Sequence, residues 1–313
     1  MGVRFSIGII HRNGIEKLFN TIDSILKDIT KLDEIYVVDN HSSDDSIDKL
    51  RNLKKYKSVN IIQNQCNAGY GYACNQVMKK AKGKYFLLCN NDLIFQPGTL
   101  NKFYELLSLD DNIGMIGPQL LSSERIPISS YSTNKITFFS QLDLIGRPKK
   151  TKKILKFSPV ETLRGACLAV KRELVEDIGM FDDDFYFYHE DTEWCVRVNK
   201  SKKWQLMFAP EIKITHLEGA SSKNVYMQSR IEFYRSRIIF WKKTQPKILF
   251  LILFFWNFLK LYLDLVFYFF MMIVSFGLKK KYTRKVQDRI IVILWLVMGM
   301  NKKWGLPDKC LKN

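Results

Sequence analysis

Four strand-length apolar runs divide the first hundred residues, and amphipathic stretches separate them. Phe5–Ile10, Glu34–Val38, Val59–Gln63 and the run opening at Tyr85 each have the length of a short buried strand. Between the first two, Ile15, Leu18, Phe19, Ile22, Ile25, Leu26 and Ile29 fall on one helical face. A second helix is expected toward Leu53, capped by Ser43 or Asp44. A third is expected to leave the glycine turn Asn67–Gly71 and run to about Ala81. Strands alternating with helices in this way predict an α/β fold, with a mainly parallel sheet flanked by helices.

In such a sheet, ligands sit beyond the carboxyl ends of the strands. The Tyr85 run stops at Asn90-Asn91-Asp92 before apolar residues resume at Leu93. A hard oxygen ligand there is placed to hold a divalent cation, and through it a diphosphate. The same three residues also make an ordinary turn, and the strand end alone leaves both readings open. Asp39, ending the second run, can accept a hydrogen bond from the imide N–H of a uracil or thymine ring, or cap a helix. In Asn67-Ala68-Gly69-Tyr70-Gly71, glycine lets backbone approach a ligand closely. A phosphate beside that helix start would also gain from the dipole.

The order and spacing of Val38–Asp44, Asn67–Asn75 and Asn90–Asp92 resemble the inverting family 2 glycosyltransferases. Gly165-Ala166-Cys167 and Glu190-Asp191 follow in the matching order. That family has the GT-A fold, a Rossmann-like architecture of nucleotide-diphospho-sugar transferases. The likeness is closest to the rhamnosyltransferase-like branch that builds bacterial surface polysaccharides, and it covers roughly Phe5 to Arg237. It implies that Asp39 contacts the base and that Asn67, Gly69, Asn75 and Asn91 line the donor nucleotide. It also implies that Asp92, with Asn90 and His216, holds Mg²⁺ or Mn²⁺. Asn90 stands where the family's D-x-D-type motif has its first acidic residue, so a single carboxylate remains.

The resemblance makes Asp191 the base that takes the acceptor hydroxyl proton as that oxygen attacks the anomeric carbon. Glu190 would contact the acceptor or donor sugar, and the small residues Gly165 and Ala166 would leave it room. Glu193 and Arg197 read as a helix-stabilising i, i+4 pair, and Asp182–Asp184 as a turn. Arg235 and Arg237 suit either a diphosphate or an interfacial basic helix. At the end of the first strand, His11-Arg12-Asn13-Gly14 departs from the family's usual Thr-Tyr-Asn-Arg. Residues 122–158 are polar, basic and irregular, and are expected to form a substrate-facing loop region.

Charge and hydropathy separate the rest of the chain. The net charge is +18, and from Trp241 onward fourteen Lys and Arg stand against three Asp. An excess of this kind suits an anionic partner, either nucleic acid or an acidic membrane leaflet. Here the basic residues flank very apolar blocks, Lys247–Phe276 and Ile290–Met300, which argues for the membrane and against a nucleic-acid-binding protein. Lys260 and Asp264 interrupt the first block, at about 2.5–3.5 kcal/mol each for insertion, and positive charge lies on both sides of it. Helices lying in or re-entering the leaflet fit better than one clean crossing.

These features divide the chain into a catalytic domain, 1–240, and a membrane-associating helical region, 241–313. They point to the cytoplasmic face of the cell membrane. The six cysteines show no C-x-x-C pair, so a metal cluster on sulfur is not expected. The expected partners are a nucleotide-diphospho-sugar donor, a lipid-linked saccharide acceptor and an anionic membrane surface, with no nucleic acid. dTDP-rhamnose is the favoured donor by resemblance, with a UDP-hexose or UDP-galactofuranose as its alternatives; the alternative enzyme activity is that of a nucleotidyltransferase.

Overall fold

The apolar runs pair edge to edge. In the computed structural model, which describes residues 2–142, 153–217 and 226–310, they become β1 (Phe5–His11), β2 (Asp33–Asp39), β3 (Val59–Gln63) and β4 (Tyr85–Asn90). Seven further strands follow: β5 (Leu93–Ile94), β6 (Ile113–Leu121), β7 (Tyr131–Ser132), β8 (Ser158–Pro159), β9 (Thr162–Leu163), β10 (Cys167–Lys171) and β11 (Gln205–His216). Among the described residues the main sheet runs β3-β2-β1-β4-β10-β6-β11-β5, with β8 added against β11; β7 and β9 pair separately.

The first four strands are parallel neighbours. β10 runs antiparallel to both β4 and β6, so the sheet as a whole is mixed. β11 runs on through Pro210. Pro210 cannot donate to a ladder, and the register against β6 slips between Ala209 and Lys213; the irregularity carries the strand past the proline.

Helices α1 (Ile15–Leu26), α2 (Ser46–Asn52), α3 (Tyr70–Lys80) and α4 (Thr99–Leu107) alternate with these strands. α1 buries Leu18, Thr21, Ile22, Ser24 and Ile25, the face its periodicity marks. Between them lies a core of Phe5, Ile7, Ile9, Val37, Leu87 and Phe103, all removed from solvent. Each such side chain contributes about 1.5–3 kcal/mol by burial. Cys74, Cys89, Cys167 and Cys195 are buried free thiols, small hydrophobes of the interior.

The remaining helices are α5 (Phe138–Leu142), α6 (Arg172–Ile178), α7 (Glu190–Ser201), α8 (Tyr226–Thr244), α9 (Lys247–Val274) and α10 (Lys280–Val297). The described chain forms two compact units. The sheet unit takes 2–135, 153–186 and 190–217; the second takes 136–142, 187–189 and 226–310. Part of the irregular stretch expected at 122–158, residues 143–152, lies outside the described residues.

The second unit is helical, with Ile231, Tyr234, Ile238, Leu261, Val292 and Trp295 at its centre. Charges buried in it are paired. Asp288, wholly buried, takes Arg230 at 3.0 Å and Arg289 at 2.6 Å. Arg289 also reaches Asp264 at 3.0 Å, so the acidic interruption of the apolar block finds its partner on the following helix. Arg235 is bound to the buried Glu232 and to the carbonyls of Asn301 and Trp304, which leaves it a structural role. Among the described residues, α9 alone is long and apolar enough to cross a bilayer. Only Leu253, Asn257 and Leu261 of it are buried, a narrow stripe at four-residue spacing.

Candidate active site

Register brings the chemistry-bearing residues to one edge of the sheet. His11 pairs with Asp39 between β1 and β2, and Ile10 with Asn90 between β1 and β4. Because β10 runs the other way and starts at Cys167 opposite Cys89, Gly165 and Ala166 arrive at that same edge. The Asn90 N–H donates to the Ala166 carbonyl at 3.0 Å. β11 ends there too, with His216 opposite Leu93, and α7 begins with Glu190 and Asp191.

Asp39 is buried. Its Oδ1 accepts the Ser42 N–H at 3.0 Å, while Oδ2 has no hydrogen-bond partner. A buried carboxylate oxygen left in this state is costly unless a ligand donates to it, and a nucleobase imide N–H has the required chemistry. Asp92 and His216 lie together, with His216 Nε2 3.1 Å from Asp92 Oδ1. The Leu217 N–H donates to the Asp92 carbonyl at 2.9 Å, and His216 Nδ1 is buried with no partner.

A carboxylate oxygen and an imidazole nitrogen form a donor set suited to Mn²⁺ and similar divalent cations. Among the described residues, no three His, Cys, Asp or Glu side chains are grouped to hold a metal. Asp92 and His216 are the two side chains here that could hold such an ion. Asn90 stands half-buried at the start of this turn. The Asn91 amide nitrogen is directed to His11 Nδ1, 2.7 Å away, and to the Asn13 carbonyl.

Asp191 is held on both oxygens. Oδ2 accepts the Gly165 N–H at 2.8 Å, and Oδ1 accepts the Thr192 N–H and hydroxyl. A Cβ at position 165 would lie 3.1 Å from Asp191 Cβ, so this residue must be small for the carboxylate to sit where it does. Glu190, next in the chain, is buried and its Oε2 has no partner. Burial first, and then the Asp191 charge, push its carboxyl up to about 8. At neutral pH Glu190 therefore keeps its proton.

Three residues expected at the donor are occupied within the protein. Asn75 is buried; its amide nitrogen donates to the Phe181 carbonyl and to Asp183, and its oxygen accepts the Phe181 N–H. It pins the 181–183 turn instead of presenting a free amide. Gly69 has φ +91°, and a side chain there would overlap the Tyr186 carbonyl oxygen. The glycine thus admits the protein's own backbone, where a ligand was the expected neighbour. Asn67 Oδ1 accepts the Gly69 N–H at 3.2 Å, closing the turn before α3.

Glu193 and Arg197 form the expected pair at 2.8 Å, and Arg197 also caps the carbonyls of Ile178 and Met180. Other residues matter that the sequence did not single out. The Tyr70 hydroxyl donates to the Gly165 carbonyl, tying α3 to the small-residue segment that precedes β10. Asn40 donates to the Gly69 carbonyl and accepts from Asn64. Neither has a periodic signal; position beside Gly69 and Asp39 was the sole available hint.

Comparison with known proteins identifies the family and the fold. The model of the family described as Glycosyl transferase family 2 matches residues 6–179. The low-salt glycan biosynthesis hexosyltransferase Agl10 of Haloferax volcanii is 26% identical over 230 residues, covering 71% of this chain and 73% of its own. The N-acetylglucosaminyl-diphospho-decaprenol L-rhamnosyltransferase of Mycobacterium tuberculosis is 20% identical over 210 residues, 60% of this chain and 67% of its own.

Among solved structures, the mannosyltransferase PcManGT of Pyrobaculum calidifontis, in complex with GDP-Man and Mn²⁺, superposes with a TM-score of 0.57 at 14% identity. The match covers 97% of this chain and 88% of that one. The fold is that of the GT-A transferases. With more than half of its length matched by the family model, the chain belongs to glycosyltransferase family 2.

Proposed function

We propose that this enzyme transfers a hexose or 6-deoxyhexose, with inversion, from a nucleoside diphosphate donor to a lipid-linked saccharide. The observation that carries the reading is Asp191, oriented by the Gly165 N–H at the edge that also holds Asp39, Asp92 and His216. In this mechanism Asp39 Oδ2 accepts the imide N–H of the base. The acceptor hydroxyl hydrogen-bonds to the Asp191 carboxylate and gives up its proton as the new C–O bond forms at the anomeric carbon. The bond to the diphosphate breaks from the opposite face. Glu190, protonated at neutral pH, donates its carboxyl proton as a hydrogen bond to a sugar hydroxyl. A divalent cation beside Asp92 and His216 would supply Lewis-acid stabilisation of the leaving diphosphate.

The rhamnosyltransferase relative, whose name specifies a diphospho-decaprenol substrate, supports rhamnose from dTDP-rhamnose as the favoured donor and a polyprenyl-linked acceptor. UDP-hexoses and UDP-galactofuranose remain donors to screen, with Mg²⁺ and Mn²⁺ both as metals. In the second unit, Phe255, Phe270 and Phe276 are 66%, 61% and 90% exposed, while Lys242, Lys243, Lys279, Lys280 and Lys281 flank them. Helices α9 and α10 suit the cytoplasmic leaflet of an anionic membrane, with the aromatic face in the acyl region and the lysines at the headgroups. Residues 1–240 would then be catalytic and 241–313 membrane-associating.

The test is a screen of nucleotide sugars with Mn²⁺ and a polyprenyl-diphosphate saccharide, reading the released nucleotide by mass. Asp191→Asn should lower transfer by about 10²–10⁴-fold while nucleotide binding persists. Near wild-type transfer by that variant would remove Asp191 from the mechanism. Co-sedimentation with vesicles containing acidic phospholipid, but not with purely zwitterionic ones, is the matching expectation for the helices.

A further inference from the structure

β1 ends on a fully buried histidine that the mechanism above does not use. The two ring nitrogens of His11 face different segments. Nδ1 lies 2.7 Å from Asn91 Nδ2, and Nε2 lies 2.8 Å from Ser46 Oγ. An amide nitrogen only donates, so Nδ1 is the acceptor and the ring proton resides on Nε2. The Asn91 nitrogen also faces the Asn13 carbonyl at 3.2 Å, which agrees with that orientation of the amide.

The Nε2–H then donates to Ser46, whose hydroxyl donates to Asp44 Oδ1. Donors therefore run in one direction, Asn91 to His11 to Ser46 to Asp44, and end on a carboxylate. Asp44 Oδ2 accepts the Gly14 N–H at 2.7 Å, and Asn13 is bonded to Ser42 and Ser43. Burial pushes the imidazole down, against the charges of Asp39 and Asp44, and so favours the neutral ring this pattern needs.

Three strand ends meet at that ring: β1 itself, the segment after Asp39, and the turn at Asn90–Asp92. We infer that His11 is a positioning residue for the donor, locking the diphosphate turn to the nucleoside segment so that both ends of a nucleoside diphosphate meet one rigid assembly. The inference rests on the donor reading given above. Two opposed ring nitrogens can bridge Asn91 and Ser46; a single hydroxyl at this position has one oxygen to offer and cannot span them.

The experiment titrates UDP, dTDP and GDP, each with Mn²⁺, into the full chain and into His11→Phe, Ser46→Ala, Asn91→Ala and the His11→Phe/Asn91→Ala pair. Thermal melting and steady-state kinetics accompany it. For whichever nucleotide the wild type binds, His11→Phe should weaken binding and raise donor KM tenfold or more, with kcat changed less. The double variant should bind no worse than its weaker single parent, because both substitutions break the same link.

Additive losses, or a His11→Phe protein that melts lower but binds as the wild type does, would overturn the inference alone. A wild type that binds none of the three nucleotides would overturn the donor reading and this inference with it. Should His11→Phe fail to fold, the Ser46→Ala/Asn91→Ala cycle reads the same coupling, since those side chains are joined through the ring. Additivity there overturns the inference equally.

Discussion

The main-chain N–H of Gly165 donates to Asp191 Oδ2 at 2.8 Å, and a methyl group at 165 would come within 3.1 Å of Asp191 Cβ. The residue that orients the proposed base is thus also the one whose size determines where that base can stand. Gly165→Ala should displace the carboxylate by a few tenths of an ångström or more. A lower kcat is expected, by up to about 100-fold, with donor KM unchanged; initial rates at varied donor concentration would show it.

Glu190 makes stability depend on pH. Its carboxyl is pushed from 4.5 up to about 8 by burial and by Asp191, so between those values the folded chain keeps a proton that the unfolded chain has lost. The contribution is complete below the lower value and disappears as pH rises through the upper one. Glu190→Gln stays neutral throughout. Relative to wild type, its melting temperature should rise progressively from pH 5 to pH 9, and a difference independent of pH would contradict the shift.

Asp92 and His216, 3.1 Å apart, are the proposed protein ligands of the cation. Asp92→Asn and His216→Ala should each raise the Mn²⁺ concentration for half-maximal nucleotide binding by about tenfold or more. Paramagnetic resonance of Mn²⁺ in the presence of the nucleotide measures this directly, without turnover. Unchanged Mn²⁺ affinity in both variants would move the cation elsewhere.

Asp288 holds two arginines at full burial. Asp288→Ala takes the carboxylate from Arg230 and leaves Arg289 with Asp264, and a loss of about 3–5 kcal/mol is expected for breaking such a buried pair. Asp264 is partly exposed, at 32% of its side chain, and Asp264→Ala should cost under about 1 kcal/mol. Chemical denaturation in detergent would rank the two.

The half of the fold that was legible is the half made by local pattern. α1 shows its buried face at i, i+3 and i+4, and β1 to β4 show themselves as apolar runs bounded by polar strand ends. Asp39 and Asp92 stood out because acidic residues end strands at the edge where ligands bind. Asn75 did not declare itself, since an amide in the middle of a helix looks the same whether it faces a ligand or, as here, the Phe181 main chain.

The contacts of His11 span 35 and 80 residues, and no window along the chain contains them. Asp264 reads as an interruption of the apolar run because its partner, Arg289, lies on the next helix. Pro210 does not announce that one strand runs through it, because a proline signals the loss of a donor but not the irregular pairing that accommodates it.

β10 enters the sheet against the direction of its neighbour, and the Asn90–Ala166 hydrogen bond follows from that reversal. Separation between the proposed diphosphate turn and the segment that orients the proposed base is therefore set by one rung of a ladder. Grafts within 122–135 or 153–158, the described parts of the proposed acceptor-facing stretch, should alter which hydroxyl is glycosylated while preserving the anomeric configuration of the product. Regiochemistry and stereochemistry would be separately evolvable traits on this scaffold.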